Sequence, residues 1–153
     1  MHWLDHKVPP PIVALLLGAL MWGFARISPS IQIEPMLRIA GALALVVLGI
    51  AVALSGAIAF RRSKTTTNPL KPTAASSLVV GGVYRHTRNP MYLGVAIVLV
   101  GWAVYLAAPT PLLGPPIFIL FITRFQIIPE ELALTEIFGQ QFIAYKNAVR
   151  RWL

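Results

Sequence analysis

The sequence predicts an all-α integral membrane protein with about four transmembrane helices and a C-terminal amphipathic cytoplasmic helix. Three observations predict it. Of the 153 residues, 57% are hydrophobic and 12% are charged, against about 25% charged in soluble domains. The apolar residues gather in four stretches. No segment shows the two-residue alternation of a half-buried strand.

The stretches run from Ile12 to Ile27, Leu37 to Phe60, Pro90 to Ala108 and Pro111 to Ile128. Three approach the ~20 residues that cross a hydrocarbon core. The first is shorter, and Arg26 near its end is placed to snorkel to the interface. In lipid every backbone amide needs an internal partner, so the stretches are expected as helices. Together they define one membrane domain over residues 1–153. Pro9-Pro10-Pro11 stiffens the entry to the first helix, and no small-residue cleavage site follows it. That run is therefore expected to be retained rather than removed as a signal. Ser28 to Pro35, with Glu34, forms a short outer turn. The second helix carries Gly41, Ala42, Ala44, Gly49, Ala51, Ala53, Ser55 and Gly56. Small residues let membrane helices approach closely, so this helix is expected at the centre, and a homodimer is permitted. Pro115-Pro116 should kink the fourth span or mark its true start.

Net charge is +8. Arg61, Arg62, Lys64, Lys71, Arg85 and Arg88 fall in one segment without an acid, and Lys146, Arg150 and Arg151 follow in the tail. The Ala107–Thr110 connection carries no charge. Positive-inside bias then places residues 61–89 and both termini in the cytoplasm. Contact with anionic membrane lipids accounts for this charge, and nucleic acid is not an expected partner of so apolar a chain. There are no cysteines, which excludes disulfides, thiolate metal sites and a cysteine nucleophile. No His, Glu and Asp stand at metal-ligand spacing. No glycine-rich phosphate loop follows a strand, so a dinucleotide fold is not expected. His2 and His6 lie in the N-terminal tail, and no Ser-His-Asp set can be assembled.

Residues 61–89 form the longest polar segment, with Thr65-Thr66-Thr67-Asn68-Pro69 and Gly81-Gly82. A polar segment of that length raises the possibility of a lid or binding loop over 61–80. The glycine pair reads first as a turn.

Two motifs carry the chemistry. One is Arg85-His86-Thr87-Arg88-Asn89-Pro90-Met91-Tyr92-Leu93-Gly94. The other is Pro129-Glu130-Glu131, then Leu134, Phe138-Gly139, Phe142 and Tyr145. The apolar hairpin between them returns both to one side of the bilayer. Asn89 reads as a helix cap and Pro90 as the first helical residue. That leaves Arg85, His86, Arg88 and Tyr92 unexplained. A helix N-terminus beside arginines is a natural anion site. From Glu130, apolar residues recur at steps of three or four and predict one amphipathic helix of about 20 residues. Glu130 and Glu131 suit its first turn. Arg124 would share a face with Glu131 if helix continued between them, but Pro129 interrupts that geometry.

The segment from about Asn68 to Leu153 resembles the isoprenylcysteine carboxyl methyltransferase and phospholipid methyltransferase superfamily. The resemblance rests on Arg88-Asn89-Pro90-Met91-Tyr92-Leu93-Gly94, the helical hairpin, Glu130 through Tyr145, and the ending Val149-Arg150-Arg151-Trp152. It implies an integral membrane enzyme that uses S-adenosylmethionine, yields S-adenosylhomocysteine and needs no metal. It implies that Tyr84, Arg85, His86, Asn89, Pro90, Tyr92, Leu93 and Gly94 line the cofactor. Glu130 and Glu131 would reach its polar groups or the reaction centre. Asn89 stands where the prenylcysteine enzymes usually have His, and an amide cannot act as acid or base. Arg124 is the candidate cation for a carboxylate acceptor. Glu131 is the candidate base for an amine acceptor, and Tyr92 offers a cation–π contact. The acceptor is expected to be lipophilic and to arrive from the bilayer: a prenylcysteine-like carboxylate, an amine or a phospholipid headgroup. Two alternatives stand beside this reading. One is an NADPH-dependent membrane reductase, whose relatives share a similar C-terminal motif pair in much longer chains. The other is a small transporter or scaffold without enzymatic activity.

Overall fold

The computed structural model describes residues 8–63 and 77–153. Among the described residues every regular element is helical. Helix α1 is Pro10–Ala25, α2 is Pro35–Arg62 and α3 is Pro90–Leu106. Helix α4 is Gly114–Ile122, α5 is Ile128–Phe138 and α6 is Gln140–Ala148. His2, His6, Lys64, Lys71, Thr65 to Pro69 and most of the expected lid lie outside the described residues.

Sequence explains the helix starts. Pro35 opens α2, and Glu34 Oε2 accepts the Leu37 N–H at 2.7 Å. Pro90 opens α3. Pro115 and Pro116 fall in the first turn of α4, so they mark a start rather than a kink. A 3-10 turn, Thr110–Leu113, leads into it.

The helix continues past Ile128, contrary to the expected stop. Pro129 has no N–H and its ring crowds the carbonyl four residues back. The chain meets this with a π turn over Thr123–Ile127, in which the Ile128 N–H reaches back to Thr123 O. The result is a continuous 29-residue helix, Thr110–Phe138. The expected single C-terminal helix, by contrast, is broken in two. Gly139 has φ 50° and ψ −125°, a conformation essentially closed to other residues. Its two halves are α5 and α6.

Helix α2 packs chiefly against α3, and the two run antiparallel. A Cβ on Gly101 would meet Ala42 O at 3.0 Å, one on Gly49 would meet Gly94 O at 2.5 Å, and one on Gly56 would meet Pro90 Cγ at 3.0 Å. Ala42, Gly49 and Gly56 are the buried residues of α2. They recur every seven positions, which keeps small residues in one seam. The close approach expected of these small residues is there, but the central position is not. Helix α2 gives no residue to the central hydrophobic cluster and turns most of its large apolar side chains outward, because its small residues form a seam on one side only. Helix α1 lies on α3 and α4, and Trp102 Nε1 donates to Gly18 O at 3.0 Å. Phe118, Ile122 and Ile127 are fully buried at the centre, with Val13, Met21, Tyr92 and Leu99 around them.

The outside is apolar. Leu43, Val47, Leu48, Ile50 and Leu54 of α2 are all exposed. Helices α2 and Thr110–Phe138 are long and apolar enough to cross a membrane. Helices α1 and α3 are apolar but span 16 and 17 residues. Of the four expected spans, two have full membrane length.

The α2–α3 seam is testable. Gly49→Leu should lose about 1–3 kcal/mol through overpacking, read as a lowered unfolding temperature in detergent. Gly41→Ala should be near neutral, since no atom lies within 4 Å of its added Cβ.

Candidate functional site

The site is assembled at the end of the bundle where α2 stops and α3 starts. Gly82, at φ 63°, opens a 3-10 turn over Gly82–Arg85. The glycine pair is thus the turn it reads as. The turn aims Tyr84 inward, edge-on to Phe60 at 5.3 Å. Its carbonyl accepts the Tyr145 hydroxyl at 2.8 Å. Burial pushes the Tyr84 phenol well above its usual range and Tyr145 up to about 12. Both therefore act as neutral hydrogen-bonding groups. Arg85 and His86 point outward and are exposed.

Thr87 is buried. Its hydroxyl accepts the Asn89 N–H at 3.2 Å and donates to Arg151 O at 3.3 Å. Asn89 sits at the cap position of α3 but its side chain does not cap the helix. Nδ2 donates instead to Arg151 O at 2.9 Å. Arg88 donates its backbone N–H to Arg150 O at 3.0 Å. The tail after α6 is therefore bound across the first motif. It is anchored further on by Trp152 Nε1, which donates to Thr123 Oγ1 in the π turn at 3.1 Å.

The two adjacent acids have different surroundings. Glu130 Oε1 accepts the Tyr92 hydroxyl at 2.7 Å and Gln126 Nε2 at 3.1 Å. Both donors are neutral. Gln126 reaches Glu130 because residues four apart are neighbours on a helix face. Glu131 is held by cations. Arg151 forks onto it, with Nε 3.0 Å from Oε1 and Nη2 2.8 Å from Oε2. Arg88 Nη2 lies 3.2 Å from Oε1 and Lys146 Nζ 3.8 Å from Oε2. Both oxygens of Glu131 thus face cations.

Arg88 is the most unusual group present. Its side chain is 9% exposed. Nη2 meets Glu131, but Nε and Nη1 are buried with no hydrogen-bond partner. Burial lowers its pKa against the opposing pull of Glu131, whereas hydrogen bonding to Glu131 raises that of Arg151. The directions differ because Arg151, one-third exposed, keeps more water. Arg124 lies in the π turn with its guanidinium 5.3 Å over the Phe125 ring.

Of the residues marked by sequence, Tyr84, Asn89, Tyr92, Glu130 and Glu131 come together here. Pro90 and Gly94 are buried against α2, and Leu93 is half-buried beside them. Arg85 and His86 stand apart at the surface. Sequence reasoning passed over Thr87, Gln126 and Arg151 as site residues. Thr87 and Arg151 lie inside segments already singled out. Gln126 stands four residues before Glu130, the spacing at which side chains on a helix meet. Among the described residues no group of three His, Asp or Glu side chains converges on one point.

Fold and site together define a helical membrane protein whose two motifs meet in a buried pair of carboxylates at one end of an apolar bundle. The phospholipid methyltransferase family matches residues 37–141, well over half of the chain, and the chain belongs to that family. The family is one of methyltransferases, in agreement with the resemblance carried by the motifs. An uncharacterized protein of Haemophilus influenzae is 44% identical over 63 residues, covering 41% of this chain and the whole of that protein. No solved structure matches.

Glu131 should matter to stability more than any surface acid. Glu131→Gln leaves Arg88 buried and unpaired, and should cost about 3 kcal/mol. Glu136→Gln, at an exposed position, should stay within about 0.5 kcal/mol. Unfolding of both variants in detergent, followed by circular dichroism, checks the contrast.

Proposed function

We propose that this chain transfers a methyl group from S-adenosylmethionine to a lipophilic acceptor at the cytoplasmic face of the membrane. The observation that carries the reading is the meeting of the two motifs. Tyr92 binds Glu130, and beside them Arg88 keeps two buried nitrogens without partners. Those nitrogens are charged donors without an acceptor, which suits a carboxylate or phosphate. Glu130, bonded by neutral donors, suits a cationic group. The cofactor presents both charges, so the residues fit it.

S-adenosylmethionine, when bound, supplies a methyl group on a sulfonium that leaves as the neutral thioether S-adenosylhomocysteine. What remains for the protein is alignment, since donor and acceptor must approach in line to about 3 Å. Arg88 holds the anionic group, and Arg124 on the neighbouring π turn is the second candidate for an anionic acceptor. Glu130 holds the positive charge, with Tyr92 and Gln126 fixing its carboxylate. An amine acceptor must also lose a proton. Both hydrogen bonds to Glu130 fall on Oε1, so the proton goes to Oε2. The base role that the sequence favoured for Glu131 therefore passes to its neighbour.

The membrane arrangement belongs to the same reading. Helices α1, α2, α3 and Thr110–Phe138 each cross the bilayer. At 1.5 Å per residue α1 and α3 reach about 24 and 26 Å, a few ångströms short of the core. Local thinning and a snorkelling Arg26 make up the difference. Arg61, Arg62, Arg85, Arg88, Arg124, Lys146, Arg150 and Arg151 cluster at the site end. Arg26 and Arg38 lie at the other, over Trp22 and Tyr105. This balance supports a cytoplasmic site. The exposed apolar faces let a lipid acceptor enter from the side.

Calorimetry on detergent-purified protein tests the proposal. S-adenosylhomocysteine should bind saturably, and Arg88→Gln should weaken it about 10–100-fold, as expected for hydrogen bonds to a charged group. Binding of NADPH alone would turn the case to a reductase. Binding of neither by folded protein would defeat the enzymatic reading.

A further inference from the structure

We infer that the tail Val149–Trp152 is part of the site, and that Asn89 and Arg151 are positioning residues that fix the Arg88 guanidinium. Asn89 is the telling residue. It stands where a side-chain cap is expected, and its side chain does not cap. Its amide goes to Arg151 O, alongside the Thr87 hydroxyl. One residue earlier, Arg150 O takes the Arg88 N–H. Val149 is extended, with φ −126° and ψ 132°, so the tail leaves α6 as a strap.

The strap delivers the Arg151 guanidinium to Glu131 in a two-point fork. Glu131 Oε1 is shared between Arg151 Nε and Arg88 Nη2. Arg88 is thereby fixed twice, through its backbone by Arg150 and through Nη2 by Glu131. Its Nε and Nη1 are left without partners. Trp152 ties the strap to Thr123, at the head of the π turn that carries Gln126. One short tail thus supports the partners of both acids. Asn89 acts on the ligand through the strap, not by touching it. The role of Arg88 as an anion holder rests on the methyltransferase reading above. The linkage from Asn89 to Arg88 does not.

The experiment has two arms on the full-length protein in detergent. The first needs no ligand. Hydrogen exchange at the Arg88 amide, which the strap protects, should quicken about tenfold in Asn89→Ala and in Arg151→Ala, the size of one lost hydrogen bond. The second measures S-adenosylhomocysteine affinity. Each variant should weaken it about tenfold, measured well below the temperature at which that variant unfolds. The double variant should be hardly worse than either single one, because both cut the same link. Arg151→Lys keeps the charge but loses the fork, so it should behave like Arg151→Ala. Added ethylguanidinium should restore affinity to Arg151→Ala and leave Asn89→Ala unrestored. Unchanged exchange at Arg88 in a folded Asn89→Ala would overturn the inference, as would losses that multiply in the double variant. Failure of the wild-type protein to bind S-adenosylhomocysteine would sink the methyltransferase reading, while the exchange arm still decides the strap.

Discussion

A carboxylate buried between two guanidinium groups and a lysine organises the polar end of this molecule. Glu131 draws Arg88 from the first motif and Arg151 from the tail onto its two oxygens. These elements are far apart in sequence, and an apolar body offers little else to hold them. Desolvating such charges is costly unless they are paired and hydrogen-bonded. The pairing is therefore obligatory once the segments are brought together. The tail follows, because its carbonyls take the donors of Thr87, Arg88 and Asn89. So does the posture of Arg88, whose Nη2 meets Glu131.

The apolar body sets the stage for that cluster. Backbone contact between Gly49 and Gly94 brings α2 and α3 together so that Gly56 faces Pro90. This fixes where α3 begins, and hence where Tyr92 points. Gly94 follows the first motif directly, and its smallness is used for helix packing. A residue inside a functional motif can thus be required for reasons of space. The second motif is placed by the π turn. It widens the helix ahead of Pro129, so the helix runs on through the Glu130-Glu131 pair. π turns recur at functional sites for this reason: one extra residue re-aims the side chains beyond it.

Two neighbouring acids are thereby given opposite surroundings. Glu131 faces permanent cations, and Glu130 faces a phenol and an amide. One serves as an ionic anchor. The other keeps a carboxylate against neutral groups, which is the arrangement suited to meeting positive charge. Members of a Glu-Glu pair need not share a role, and adjacent positions on a helix point about 100° apart.

Much of this was legible in the sequence, and the limits have physical causes. The apolar stretches are read correctly to within two residues at most ends, because hydrophobicity alone sets them. Pro35, Pro90 and Pro115 announce helix starts through their missing N–H groups. The two motifs point to the family and to the end of the bundle where the site lies. Pro129 misleads, since a proline can be absorbed by a wider turn as well as end a helix. Gly139 is misread too, because an apolar period of three or four carries across a break that only its backbone angles reveal. The partners of Glu131 were out of reach: Arg124 is seven residues away in sequence, yet Arg88 and Arg151 are what the folded chain brings to it. Composition and local pattern determined the helices, the membrane character and the family. Tertiary structure alone decided which cation meets which acid and what Asn89 holds, because those contacts depend on chain segments whose spacing in sequence carries no trace of their distance in space.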